Sequence, residues 1–279
     1  MSAAGAGGSG GILIHIGYPK AGSSYLRRWF GTHPALVLGA STVADGRQWR
    51  VISDETLATP TATDADGRLL YAPGTSQAAA QGETCRRLRS EFPDARVLMV
   101  TRGFRAMFLS SFSQYVRTGG AMDFEAFVAA VRGTDVWHYD RMAALYRETF
   151  GAGQVLVLPF EALRDAPEAF TGRVEAWLGI GAHRPQGGAE NVSLSGVELR
   201  WYPRLARTAS RAGLATRYRR GVFGNRYSAF IGLLQRVRPA APVTAEAVAE
   251  GSLDLFRGQA DALSREPAFR PYARDYLAV

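Results

Sequence analysis

The sequence predicts an α/β fold in which a parallel β-sheet is flanked by helices, with a helical C-terminal part. Three stretches carry this expectation: ILIHI at 12–16, VLMVT at 97–101 and VLVLP at 155–159 are short apolar runs, each leading through a turn into helix-spaced sequence. Strands covered on both faces need such uninterrupted runs, and a parallel sheet covers both faces.

The elements follow in chain order. MSAAGAGGSGG, residues 1–11, lacks the basic and apolar regions of a secretory signal and reads as a flexible leader, so the expected division is a leader at 1–11 and a single domain at 12–279. A strand is expected at 12–17, turn residues follow from Gly17 to Gly22, and Ser23 opens an amphipathic helix through Tyr25, Leu26, Trp29 and Phe30. A weak strand falls near 35–38 and another near 68–71, inside a Ser-, Thr-, Ala-, Asp- and Gly-rich excursion at 58–82 that is a candidate mobile acceptor-side loop. A helix at 76–91 precedes a strand at 96–101, after which Phe104, Phe108 and Phe112 mark one face of a helix. Helices at 123–132 and 137–150, a strand at 154–158, and helices at 166–178, 198–212 and 245–264 complete the map, with no internal repeat.

Composition removes several function classes. A chain of 279 residues that is 47% hydrophobic and 21% charged is neither disordered nor fibrous. Cys85 is the only cysteine, which excludes intramolecular disulfides and cysteine-based zinc sites and fits a reducing compartment. No apolar run approaches the length of a membrane span, so a cytoplasmic protein is expected. The net charge of +8 points to an anionic ligand, nucleic acid or an anionic membrane surface. The basic residues are 32 arginines and one lysine, Lys20. A lysine kept among arginines suits a place that needs a compact point charge.

Lys20 lies in the loop Gly17-Tyr18-Pro19-Lys20-Ala21-Gly22, between a strand and a helix. Such a turn aims backbone N–H groups and the positive end of a helix dipole at one spot, where an anion with several oxygens can sit. A plain βα turn with capping serines is the simpler alternative. Gly17 and Gly22 have the spacing of P-loop glycines, yet Ser23 stands where a nucleotide-binding lysine would follow. The strand at 96–101 leads into Thr101-Arg102 where a carboxylate for Mg²⁺ would be needed. A magnesium nucleotide is poorly served, and no metal ligand is evident.

YPKAGSSYLRRWF closely resembles the 5′-phosphosulfate loop of the sulfotransferases that use 3′-phosphoadenosine 5′-phosphosulfate (PAPS). VLMVTRGFRAMFLSSF resembles that family's 3′-phosphate motif, with Arg102 ending a strand and Ser110 eight residues on, although Gly103-Phe104 replaces the usual Asp-Pro. VLVLPFEALRDAPEAFTGRVEAWLGI at 155–180 resembles a third, mostly structural block. The resemblance covers about residues 12–180 and implies a P-loop-like sulfotransferase fold, PAPS as co-substrate with PAP as product, and no metal. It implies that Lys20, Ala21, Gly22, Ser23, Ser24 and Tyr25 hold the 5′-phosphosulfate, that Arg102 and Ser110 hold the 3′-phosphate, and that Lys20 stabilises the leaving oxygen. The acceptor expected is a hydroxyl of a small-molecule, carbohydrate or lipid-linked compound.

The base is open. His15, His33 and His183 match no family motif, and Glu55 in VISDETL is the choice because related enzymes supply a glutamate after the loop helix. Ser53-Asp54-Glu55 also reads as a cap with an acidic first turn, and His138 is held in reserve. Glu161 reads as structural. Residues 200–240 hold ten arginines and no acidic residue, interleaved with Trp201, Tyr202, Tyr218, Phe223, Tyr227 and Phe230. They form either a solvated face or an acceptor or peripheral membrane surface, and Arg220 in Arg219-Arg220-Gly221 is a further candidate for the 3′-phosphate. A nucleic-acid-binding protein and a P-loop kinase are the competing functions; no nucleic-acid motif accompanies the basic stretch.

Overall fold

A computed structural model describes residues 11–39, 48–59, 77–132, 134–184, 194–214, 217–218, 221–222 and 227–277. Five strands form one sheet: β1 Gly11–Gly17, β2 Leu36–Leu38, β3 Trp49–Ser53, β4 Arg96–Thr101 and β5 Val155–Pro159. Their order is β2-β3-β1-β4-β5 and every pairing is parallel. β1 is central. Its residues from Leu13 to Gly17 are buried, as are those of β4 from Val97 to Thr101, which accounts for the unbroken apolar runs.

Helix α1 (Ser23–Thr32) follows β1, α2 (Gln77–Glu91) precedes β4, and α3 (Phe104–Arg117) follows it. α4 (Phe124–Arg132) and α5 (Tyr139–Phe150) lead to β5, after which come α6 (Phe160–Asp165) and α7 (Pro167–Leu178). The C-terminal part holds α8 (Gly196–Arg211), α9 (Ser228–Val237), α10 (Glu250–Leu253), α11 (Arg257–Ser264) and a 3₁₀ stretch at Arg270–Tyr276. α8 begins on a full capping box, with Ser195 and Glu198 bonding each other's backbone N–H.

The C-terminal part packs onto the start of α3. Phe104 stacks on Tyr139 at 5.1 Å and on Phe256 at 4.5 Å, and Tyr276 meets it edge-on at 5.8 Å. Tyr276 also shares a 2.8 Å hydrogen bond with Thr101 at the end of β4. Gly103 explains how the chain comes so close: a Cβ there would stand 2.6 Å from the Asp275 carbonyl oxygen. The Gly103-Phe104 departure noted in the sequence therefore makes room for the C-terminal segment.

Several expectations need correction. The helix expected over 245–264 is broken into a 3₁₀ turn at Ala245–Ala247, then α10, a second 3₁₀ turn and α11. Val248 and Ala249 are extended there, and Arg105 of α3 donates to the Val248 carbonyl at 3.0 Å, so tertiary contact overrides helix propensity. The sequence reading omitted β3, α6 and α9. Gly11, assigned to the leader, begins β1. Residues 1–10, the strand expected at 68–71, most of the 58–82 excursion, Arg219, Arg220 and Phe223 lie outside the described residues. Among the described residues no helix is long and apolar enough to cross a membrane.

Candidate active site

Because the chain runs from β1 outward to β2 and β3, then crosses to β4, the order in which parallel strands are added reverses between β1 and β4. Ligands of open α/β sheets bind in the crevice at the carboxyl ends of the strands flanking such a point. Four neighbouring strand ends deliver the candidate residues here. β1 leads into Tyr18–Gly22, β3 into Asp54-Glu55, β4 into Arg102-Gly103 and β5 into Phe160-Glu161.

The β1–α1 loop is a tight turn, with the Ala21 N–H donating to the Tyr18 carbonyl at 3.0 Å. Lys20 and Gly22 both have left-handed backbone, at φ 72° and 88°. Gly22 meets two demands, since a Cβ there would be strained and would stand 2.7 Å from Leu163 Cδ2. For Lys20 the same conformation is a cost, of the kind that functional loops carry. α1 starts on Gly22 with no side-chain cap and no acidic residue in its first turn. The N–H groups of a helix's first turn point out of its N-terminus, so the start of α1 at Ser23, Ser24 and Tyr25, with the positive end of the helix dipole, favours an anion. Ala21 is buried, and its N–H is the one that closes the turn.

Arg102 ties this loop to α3. Its Nη1 donates to the Lys20 carbonyl at 2.7 Å and to Ser110 Oγ at 3.0 Å, and its guanidinium lies 4.7 Å from the centre of the Phe160 ring. Its Nε is buried with no hydrogen-bond partner among the described residues. A buried guanidinium donor without an acceptor is uncommon, and a ligand oxygen would satisfy it. Behind it, the buried Glu161 accepts the Gly103 N–H at 3.0 Å and fixes the turn, which supports a structural role. Burial raises the Glu161 pKa, opposed by that hydrogen bond and by the Arg102 charge.

The Lys20 ammonium is pushed to a lower pKa first by burial, then by the Arg117 and Arg102 charges, while Glu55 acts the other way. Two further cations and one carboxylate thus act on the lysine. Arg117, at the C-terminal end of α3, was missed in the sequence. Its spacing of seven from Ser110, two turns along one helix face, was the available signal. Phe160 and Leu163, which line Gly22 and Arg102, were missed as well.

Glu55 stands in a 3₁₀ turn after β3 and its Oε2 accepts the Ser23 hydroxyl at 2.7 Å. The cap belongs to Asp54, whose Oδ1 accepts the Thr56 N–H at 2.8 Å. The carboxylate of Glu55 is therefore left to reach α1. His138 precedes α5 without capping it, and its pKa is lowered by burial and by Arg141, against Asp140 and Asp135. Those three charges also act on Tyr18. His33 bonds the Gly181 carbonyl and packs against His183, away from the sheet's carboxyl edge.

His15 lies within β1, with Nδ1 2.8 Å from Ser53 Oγ and Nε2 buried without a partner among the described residues. Burial, assisted by Arg27, lowers its pKa to about 4. Unfolded histidine titrates near 6.5, so between these values the unfolded chain binds a proton that the folded chain refuses. The His15 contribution to stability is complete above about pH 6.5 and is lost as pH falls toward 4, by up to about 3 kcal/mol. Urea midpoints should therefore fall more steeply from pH 7 to 5 in the wild type than in His15→Gln. Parallel slopes would contradict this.

Residues 82–184 match the sequence model of a family described as the Sulfotransferase family. The matched region includes β4, α3, Arg102 and Ser110 and ends after α7. Two solved structures are similar at 15% identity. The sulfotransferase from Alicyclobacillus acidocaldarius aligns over 76% of this chain and 95% of its own, with a TM-score of 0.48. The mouse sulfotransferase SULT7A1 complexed with PAP aligns over 62% and 61%, with a TM-score of 0.42. No curated protein sequence matches the chain.

Proposed function

From a chain that carries a sulfotransferase-family domain, matched over residues 82–184, we propose an enzyme that moves a sulfuryl group from PAPS to an acceptor hydroxyl. The observation that carries this reading is Arg102, which bonds both the Lys20 loop and Ser110 and whose buried Nε has no hydrogen-bond partner among the described residues. One guanidinium joins the two phosphate subsites that a 3′-phosphorylated, 5′-substituted nucleotide requires.

In this reading the N–H groups at the start of α1 hold the 5′-phosphate, and Arg102 with Ser110 holds the 3′-phosphate. Transfer breaks the bond from sulfur to the bridging phosphate oxygen and forms one from sulfur to the acceptor oxygen. Lys20 stabilises the charge that collects on the leaving oxygen. Glu55 takes the proton from the acceptor hydroxyl, and Ser23 holds its carboxylate in place. The small-molecule, carbohydrate or lipid-linked nature of the acceptor belongs to the same reading.

A thermal-shift screen with PAP, PAPS, ATP–Mg²⁺ and GTP–Mg²⁺ tests it. PAP at a hundredfold its dissociation constant adds about 2.7 kcal/mol, which for a domain of this size raises the melting temperature by about 5–10 °C without metal. Stabilisation by ATP–Mg²⁺ with none by PAP would make the site that of a kinase.

A further inference from the structure

α9 presents an apolar stripe to solvent. Phe230, Leu233 and Val237, spaced three and four residues apart on one side of the helix, are 46%, 56% and 70% exposed. The opposite side is occupied: Ile231 is buried, and Gln235 accepts the Trp201 indole N–H of α8 at 3.1 Å. Arg236 is exposed one turn from Leu233, and Arg238 is exposed at the end of the helix. A soluble surface rarely groups large apolar side chains in this way without a partner.

We propose that this face of α9 docks on an anionic lipid surface, with Phe230, Leu233 and Val237 entering the interface and the neighbouring arginines meeting the headgroups. Charge chooses this occupant. Arg236 and Arg238 flank the stripe and α9 carries no acidic residue, so two copies of the face would bring like charges together. A nucleic acid would satisfy the arginines but offers little to a Phe-Leu-Val stripe. An anionic bilayer answers both, because interfacial helices combine an apolar face with basic residues alongside it. The inference rests on this surface alone and is independent of nucleotide binding.

Co-sedimentation of the full chain with vesicles tests it, using 70:30 phosphatidylcholine:phosphatidylglycerol against pure phosphatidylcholine. Binding is expected to the anionic vesicles, weaker by at least tenfold on the neutral ones, and reduced by raising the salt. Leu233→Ser/Val237→Ser should lower the partition coefficient at least tenfold, and Arg236→Gln/Arg238→Gln about fivefold per arginine removed. All four side chains are exposed, so both variants should keep the wild-type melting temperature. Equal binding to both vesicle types, or a Leu233→Ser/Val237→Ser variant that binds like the wild type, would overturn the proposal. So would wild-type self-association that this variant abolishes, or binding to DNA in preference to anionic vesicles.

Discussion

Lys20→Gly is expected to lower sulfuryl transfer by at least about 10³-fold while leaving the melting temperature at or above that of the wild type. Lys20 holds a left-handed backbone at φ 72°, which glycine adopts without strain. Its ammonium is also held at some cost, since burial first and then the Arg117 and Arg102 charges lower its pKa. The contact that fixes the loop uses the Lys20 carbonyl, which glycine retains. Activity and stability should therefore part in opposite directions. A variant that loses activity and melts several degrees lower would make Lys20 a structural residue, and one that keeps near-full activity would remove it from the mechanism.

Glu55→Gln should reduce turnover by about 10²–10⁴-fold with PAP affinity nearly unchanged. The amide keeps an oxygen that can accept the Ser23 hydroxyl, so the geometry at the start of α1 is preserved while the basic carboxylate is lost. The cap of the 3₁₀ turn is made by Asp54, so the change should cost a few tenths of a kcal/mol in stability at most. Measuring turnover and melting on the same variant separates proton transfer from turn formation. Normal turnover would move the base to His138 or to an acceptor that needs none.

The parts of this account that were legible in the sequence are those that local chemistry dictates. β1, β4 and β5 announce themselves as apolar runs because a parallel sheet buries both their faces. The loop from Gly17 to Gly22 is visible from its glycines and proline, of which Gly22 takes the left-handed backbone that calls for glycine. β3 was not legible. Its five residues WRVIS include Arg50 and Trp49, and they form a strand only because β1 and β2 supply pairing partners on either side. That strand is what brings Glu55 beside Ser23, a juxtaposition across 32 residues that no local pattern encodes. The break at Val248 was hidden for the same reason, since the carbonyl that leaves the helix is claimed by Arg105, 143 residues earlier. Phe230 stood out in the sequence as part of a candidate acceptor or membrane surface, but the helix α9 that sets Leu233 and Val237 beside it did not.

In the proposed mechanism Arg102 and Ser110 complete a subsite for a 3′-phosphate next to the Lys20 loop. Titration calorimetry of PAP and of 5′-AMP, on the wild type and on Arg102→Ala, measures it most directly. The proposed mechanism predicts that the wild type prefers PAP and that Arg102→Ala weakens PAP by about 1.5–3 kcal/mol, roughly 10- to 150-fold, more than it weakens 5′-AMP, whose loop loses only the Arg102 bond to the Lys20 carbonyl. Equal affinity of the wild type for PAP and 5′-AMP, or an unchanged PAP dissociation constant in Arg102→Ala, would contradict it.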